Sequence, residues 1–353
     1  MDLLTHYLQY YIIPFLLFST LLLTIFLLFK RIHYEHNKPF REAINNKAQT
    51  FLTEIILSNP DDENFRTQLS AFKKEIPLHK VWCKRMIIND MISFRRSLKG
   101  KASEQINILY QALNLDKYSA GLIRDFRSFY KCEGFYQFQA LDYKKGSAMI
   151  KPYLKHPNTV IRSNAKMAYI SLSENHLESL KEQSSGISHL NTIKIMDILH
   201  EKKIAIPKNI DQWIETENSS VTKLGLKIMV YYNYRKQAKG IIALIHHEDD
   251  SLKKEAITAI RELFLIEAKT DLTLLFDKVS LEVQLEILET LTVIGDEIII
   301  PFLENIIRTA TNKDKKLKAV ECLNEIDKTA LDALAANDFD TKKMTKHVRE
   351  IYL

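Results

Sequence analysis

HPNTVIRSNAKMAYISL, residues 156–172, sets the reading of the chain because its apolar spacing recurs downstream. With Asn158 as the start of a repeat, equivalent polar starts fall at Ser188, Asn218, Asp249, Ser280 and Asn312, at intervals of 30, 30, 31, 31 and 32 residues. Such a period marks stacked supersecondary repeats rather than one globular core. Each start carries a side-chain oxygen that can accept a bond from the free amides of a first helical turn, so all six are predicted N-caps. Seven residues on stand Ala165, Ile195, Gly225, Ala256, Ile287 and Ala319; three further, Ala168, Ile198, Ile228, Ala259, Thr290 and Cys322. The next column is Tyr169, Leu199, Met229, Ile260, Leu291 and Leu323. These columns form one buried face with the 3.6-residue period of an inner helix.

An outer helix fits before each start, as in residues 237–246 (QAKGIIALIH) and 300–309 (IPFLENIIRT). A helical pair this small cannot bury its stripe alone, so the repeats must stack on their neighbours. Only eight glycines and eight prolines punctuate 353 residues, which predicts an all-α chain.

The segment 154–172 resembles the short HEAT-type helical repeat. Pro157 matches the family's turn, Asn158 its polar start, Val160, Ile161 and Arg162 its Val-x-Arg-like segment, and Ala165 and Ala168 its inner alanines. Later repeats carry Thr192, Thr222, Lys253, Gln284 and Lys316 at the arginine position and lack the proline, so there the resemblance rests on periodicity. It covers residues 134–353, expected as a HEAT-like α-solenoid closed by a C-terminal capping helix. An N-terminal membrane helix followed by such repeats is similar to bacterial membrane-anchored HEAT proteins. The resemblance implies a protein partner, an envelope glycosyltransferase or a signalling protein beside one.

Residues 11–29, YIIPFLLFSTLLLTIFLLF, hold no charge and are long enough to cross a bilayer. Pro14 lies in the first turn, where a missing amide costs least, and Tyr7, Tyr10 and Tyr11 suit the interface. A cleaved secretory signal is disfavoured: residues 1–10 contain Asp2 and no Lys or Arg, and the run ends in Leu27, Leu28 and Phe29. Lys30, Arg31, Lys38 and Arg41 follow, which places residues 1–10 outside and the repeats in the cytoplasm of a bacterial inner membrane, with a single pass. Three widely spaced cysteines, Cys83, Cys132 and Cys322, agree with a reducing compartment.

Residues 30–133 form a juxtamembrane helical region with expected amphipathic helices at 47–57, 65–76 and 81–98, the first two divided by a turn at Asn59, Pro60 and Asp61. This region holds 19 Lys and Arg against 12 Asp and Glu, whereas residues 134–353 hold 31 of each. The basic excess therefore lies beside the membrane, on dispersed positions that read first as a solvated face, with contact to anionic headgroups as the alternative.

Motifs for chemistry are few. His246, His247, Glu248, Asp249 and Asp250 are the densest set of metal-ligand types, but consecutive residues in a turn rarely converge on one ion, so no metal is assigned. Phosphate-binding glycine loops, a G-x-S-x-G elbow and an H-E-x-x-H helix are absent from the sequence, and no cofactor is expected. Cys132 beside Arg127 and Lys131 invites a lowered pKa, although a packed thiol is the plainer reading. Tyr231, Tyr232, Tyr234, Arg235 and Lys236 have the types that stack on bases, yet the neutral repeat half argues against nucleic acid and for a corner between repeats. Arg124, Phe126, Arg127, Phe129, Tyr130 and Lys131 are expected on a helix with one packed face.

The expected function is a non-enzymatic scaffold, with Arg162, Lys166, Lys223, Lys227, Lys253, Lys254, Glu286 and Lys316 as candidate protein contacts. A nucleic-acid-binding array is the alternative, as is an enzyme with residues gathered from separate repeats.

Overall fold

A computed structural model describes residues 7–56, 63–98, 100–173, 177 and 186–350. The expected turn at Asn59, Pro60 and Asp61 lies outside them, as does most of the N-terminal segment 1–10. Among the described residues the chain is all-α, with eighteen α-helices and no strand. It divides into two compact units, Met1–Leu172 and Ser173–Leu353.

The N-terminal unit begins with a π-helical turn, Leu8–Ile12, that runs into α1, Ile13–Ile56. This helix is long and apolar enough to cross a membrane. The sequence suggests a separate helix from residue 47, but α1 continues unbroken through Pro39. Pro39 removes one amide bond, and the freed Glu35 carbonyl lies on an exposed stretch where water can satisfy it. The far end of α1 is buried: Ile44, Ala48, Leu52, Ile55 and Ile56 are spaced as one helical face and enter the core.

Five helices follow and share one core with that end: α2 (Glu63–Glu75), α3 (Val81–Ser97), α4 (Lys101–Ala112), α5 (Leu115–Arg124) and α6 (Ser128–Ala140). The short α7 (Ser147–Ile150) follows, then α8 (Thr159–Leu172). One continuous core runs from Ile44 to Leu172 and includes Ile161, Ala165 and Ala168. The first repeat-like segment thus shares a core with the residues before it, and the first compact unit ends at Leu172. Local register could not reveal this, because α8 packs on α6, which carries the buried Phe135 and Phe138 and lies outside the repeated columns.

The C-terminal unit is solenoid-like, a succession of inner helices: α9 (His189–Lys202), α10 (Ser219–Tyr231), α12 (Asp250–Glu262), α14 (Leu281–Ile294) and α16 (Lys313–Ile326). Of the eighteen residues in the three sequence columns, only Tyr169 of the N-terminal unit is partly exposed; the others are buried. Outer segments are shorter than the sequence suggests at the start of the stack. Only a 3-10 turn, Ile210–Trp213, precedes α10, since Pro207 interrupts the run. Trp213 is buried, and a Cβ on Gly225 would stand 2.9 Å from the Trp213 Cβ, so glycine there permits the approach. Later outer helices lengthen through α11 (Ala238–Ala243) and α13 (Lys269–Leu275) to α15 (Ile300–Thr309). Two helices, α17 (Lys328–Asn337) and α18 (Phe339–Glu350), close the unit.

A candidate interaction surface on the inner helices

All six predicted starts occupy N-cap positions, and five use the side chain. Asn158 accepts from the Val160 and Ile161 amides at 2.9 and 3.2 Å, Ser188 from Asn191, Asn218 from Ser220, Asp249 from Ser251 and Asn312 from Lys315. Ser280 departs from the pattern: its hydroxyl donates to Asp250 of the preceding repeat at 2.7 Å.

The candidate contact residues mostly join one repeat to the next. Lys223 reaches Asp249 and Ser251 at 3.1 and 2.9 Å, Lys227 reaches Glu255 at 2.5 Å, and Lys254 reaches Glu282 at 2.9 Å. Glu286 accepts from Thr258 and Arg261 at 2.7 and 3.0 Å, while Lys316 bonds Asp338 at 2.7 Å. Lys253 pairs within its own helix with Asp250. In the N-terminal unit, Arg162 donates to the His156 and Pro157 carbonyls and clamps the turn before α8. Burial, with Arg162 nearby, pulls the neighbouring Lys166 ammonium below its ordinary pKa. These side chains therefore act first as ties within the fold.

The acidic members of the ladder titrate accordingly. Burial works to raise the Asp249 carboxyl, but bonds from Ser219, Lys223 and the Ser251 amide outweigh it and hold the group at about 2. Bonds from Lys253 and Ser280 lower Asp250, and bonds from Lys316 and Thr341 hold Asp338 well below the usual carboxylate range. His247 accepts from the Asp249 amide at 3.0 Å. The His246 to Asp250 run is thus a capped turn, and no group of three metal-ligand types converges among the described residues.

Beyond this ladder lies an open groove of about 680 Å³ built along α12, α14 and α16. It is lined by Arg261, Glu262, Phe264, Glu289, Thr292, Val293, Lys318, Glu321 and Glu325, with Val348 of α18. Arg261 pairs with both Glu286 and Glu289 at 3.0 Å, and Lys318 with Glu321 at 2.8 Å. Four glutamates against two cations leave the lining acidic. Phe264 is 50 % exposed at φ 54, the left-handed region. Lys203 and Asn233 hold the same place after their helices with similar φ. Asparagine adopts this geometry readily, whereas a β-carbon bearing a ring costs about 1 kcal/mol or more.

The groove residues were missed because, Val348 apart, they lie two to ten residues beyond the named contacts, on or just past the same helices. Extending the charged stripe from Lys254 to Arg261 and from Lys316 to Lys318, Glu321 and Glu325 would have found them. The tyrosine cluster is a corner: Tyr231 packs edge-on against Tyr232 at 4.8 Å, and Tyr234 donates to Asp211 at 3.1 Å. Burial raises the Cys132 thiol, so no thiolate is prepared beside Arg127 and Lys131.

No family model and no curated protein sequence matches the chain. Two crystal structures of engineered proteins from the Northeast Structural Genomics Consortium are similar at low levels. One shares 12 % identity over 86 % of this chain and 88 % of its own, with a TM-score of 0.32. The other shares 15 % over 61 % and 97 %, with a TM-score of 0.30. Likeness at that level carries no argument here.

Proposed function

We propose that the chain is a membrane-anchored, non-enzymatic scaffold that binds a segment of a partner protein in the groove over Phe264. The supporting observation is that ring itself: an aromatic group is kept half exposed, in a backbone conformation it disfavours, beside an acidic groove. Aromatic anchors bordered by charge are the usual centres of protein interfaces. Four glutamates favour a basic peptide and oppose a phosphate backbone, which weighs against nucleic acid. Stacked repeats tied by ion pairs give a rigid platform, as HEAT-type arrays do by resemblance.

The anchor is α1, with an N-terminus outside and the repeats in the cytoplasm of a bacterial inner membrane. Lys30, Arg31, Lys38 and Arg41 after the apolar run support that orientation. Resemblance alone directs the search for the partner to an envelope glycosyltransferase or a signalling protein beside one.

A photo-crosslinker at Val293 in the full chain, in its native membrane, tests the reading. One protein should be captured reproducibly, and Phe264→Ala should abolish the product while leaving the melting curve unshifted. Equal capture from exposed Leu274, outside the groove, would refute it.

A further inference from the structure

Phe126 and Phe129 are 87 % and 71 % exposed, where a packed face was expected. They flank Arg127 at the junction of α5 and α6, and the direction of the helices says which end of the N-terminal unit that junction occupies. Trp82 of α3 meets Phe40 and Arg41 of α1, while Asp90 meets Gln49, so α3 runs parallel to α1, away from the apolar segment. Arg85 of α3 pairs with Glu133 at 2.7 Å and lies over Tyr130, whereas Arg95 pairs with Asp142, beyond the far end of α6. Helix α6 is therefore parallel as well. Its first turn, with Phe129, points toward the apolar end of α1. Helix α5 returns antiparallel, since Lys131 bonds the Ile123 carbonyl and Tyr143 bonds Asp116.

Val81, also exposed, opens α3 at this same end. The surrounding charges are Lys80, Lys84, Arg85, Arg124, Arg127 and Lys131 against Asp125 and Glu133. Asp125 holds Arg127 in a two-pronged pair at 2.9 and 3.0 Å, which fixes the loop between the phenylalanines.

We propose that this end of the N-terminal unit, led by Phe126 and Phe129, docks on the anionic headgroup surface of the membrane crossed by α1. The proposal rests on the anchor reading. Phe29 and Phe40 are eleven residues apart, or about 16 Å along a helix. Headgroups fill about 5–8 Å of that gap. Helix α6 is displaced from α1 by two packing spacings, about 16–20 Å. A tilt of about 25°, ordinary for a spanning helix, lowers the phenylalanine corner by the remaining distance. Rings at headgroup depth with arginines beside them match an interfacial surface, since basic residues are drawn to acidic lipids and aromatic rings to the interface.

Amide hydrogen exchange of the full chain in nanodiscs tests this, comparing zwitterionic phosphatidylcholine discs with discs containing phosphatidylglycerol. Amides of residues 125–131 should exchange about 30-fold more slowly on the anionic discs, the scale of two basic groups at the surface. Phe126→Ser with Phe129→Ser should remove the difference, and the unchanged exchange of core α6 amides would show that the variant is folded. Equal exchange on both discs overturns the docking and leaves the anchor intact. A chain that does not enter discs overturns both. Protection seen in native membranes but not in anionic discs assigns the corner to a protein and overturns the proposal.

Discussion

Replacing Asp249 by alanine removes three interactions held by one carboxylate: the cap on the Ser251 amide at 2.9 Å, the bond from Ser219 at 2.9 Å and the ion pair with Lys223 at 3.1 Å. A lost N-cap costs about 1 kcal/mol. The hydroxyl bond contributes about 1 kcal/mol, and a partly exposed pair about 0.5 kcal/mol. Sharing one carboxylate makes these less than additive, so about 2 kcal/mol is expected. Ser280 occupies the same register position but makes no cap bond, and Ser280→Ala removes only its exposed bond to Asp250, at about 0.5 kcal/mol. Amide exchange at the start of α12 in Asp249→Ala should accelerate about 30-fold, against about twofold at the start of α14 in Ser280→Ala. Asp249→Asn, which keeps a cap acceptor and loses the charge, should fall between them. Equal losses for the two alanine variants would refute the argument that the ladder, rather than the start position alone, sets the stability of each joint.

Acid should loosen the C-terminal unit. Asp249 at about 2 and Asp338 below the usual range are depressed in the folded chain, so their contribution is complete above the unfolded value of about 3.9 and disappears as pH falls through the folded values. The melting temperature should drop between about pH 5 and 2, and Asp249→Asn with Asp338→Asn should flatten that slope; an unchanged slope counts against it. Ile257→Ala, at a fully buried site on α12, should cost about 2–5 kcal/mol, whereas Leu274→Ala, mostly exposed, should stay within about 0.5 kcal/mol, read by thermal unfolding. Burial pushes the Cys83 thiol up to about 11 and Cys322 up to about 12, so alkylation near pH 8 followed by mass spectrometry should find the half-buried Cys132 modified first. Rapid labelling of Cys83 would contradict its burial.

The inner helices were legible because their signal is local and redundant. Six polar starts and three apolar columns repeat in step, and a helix face needs nothing beyond its own spacing to be recognised. What failed to show was assignment across space. The Asn158 segment matches the repeat best, yet it joins the core of the N-terminal unit, since Phe135 and Phe138 lie far away in register and their competition leaves no local trace. The helix expected from residue 47 is in fact the buried end of α1, which runs on through Pro39 because that residue lies on an exposed stretch.

Charge was the hardest signal to interpret, and the ladder explains why. Lys223, Lys227, Lys254, Glu286 and Lys316 lie at helix positions that suit a partner, and each has an intramolecular partner about one repeat away. In a stacked array a charged column is repeated for the same reason as an apolar one, because neighbouring repeats must be held in register. Periodicity therefore marks the ties between repeats. A binding feature shows instead as a departure from the period, and Phe264, standing where Lys203 and Asn233 stand in earlier repeats, is such a departure. The same reasoning covers Phe126 and Phe129, which belong to no repeated column and are exposed where an expected helix face would have covered them.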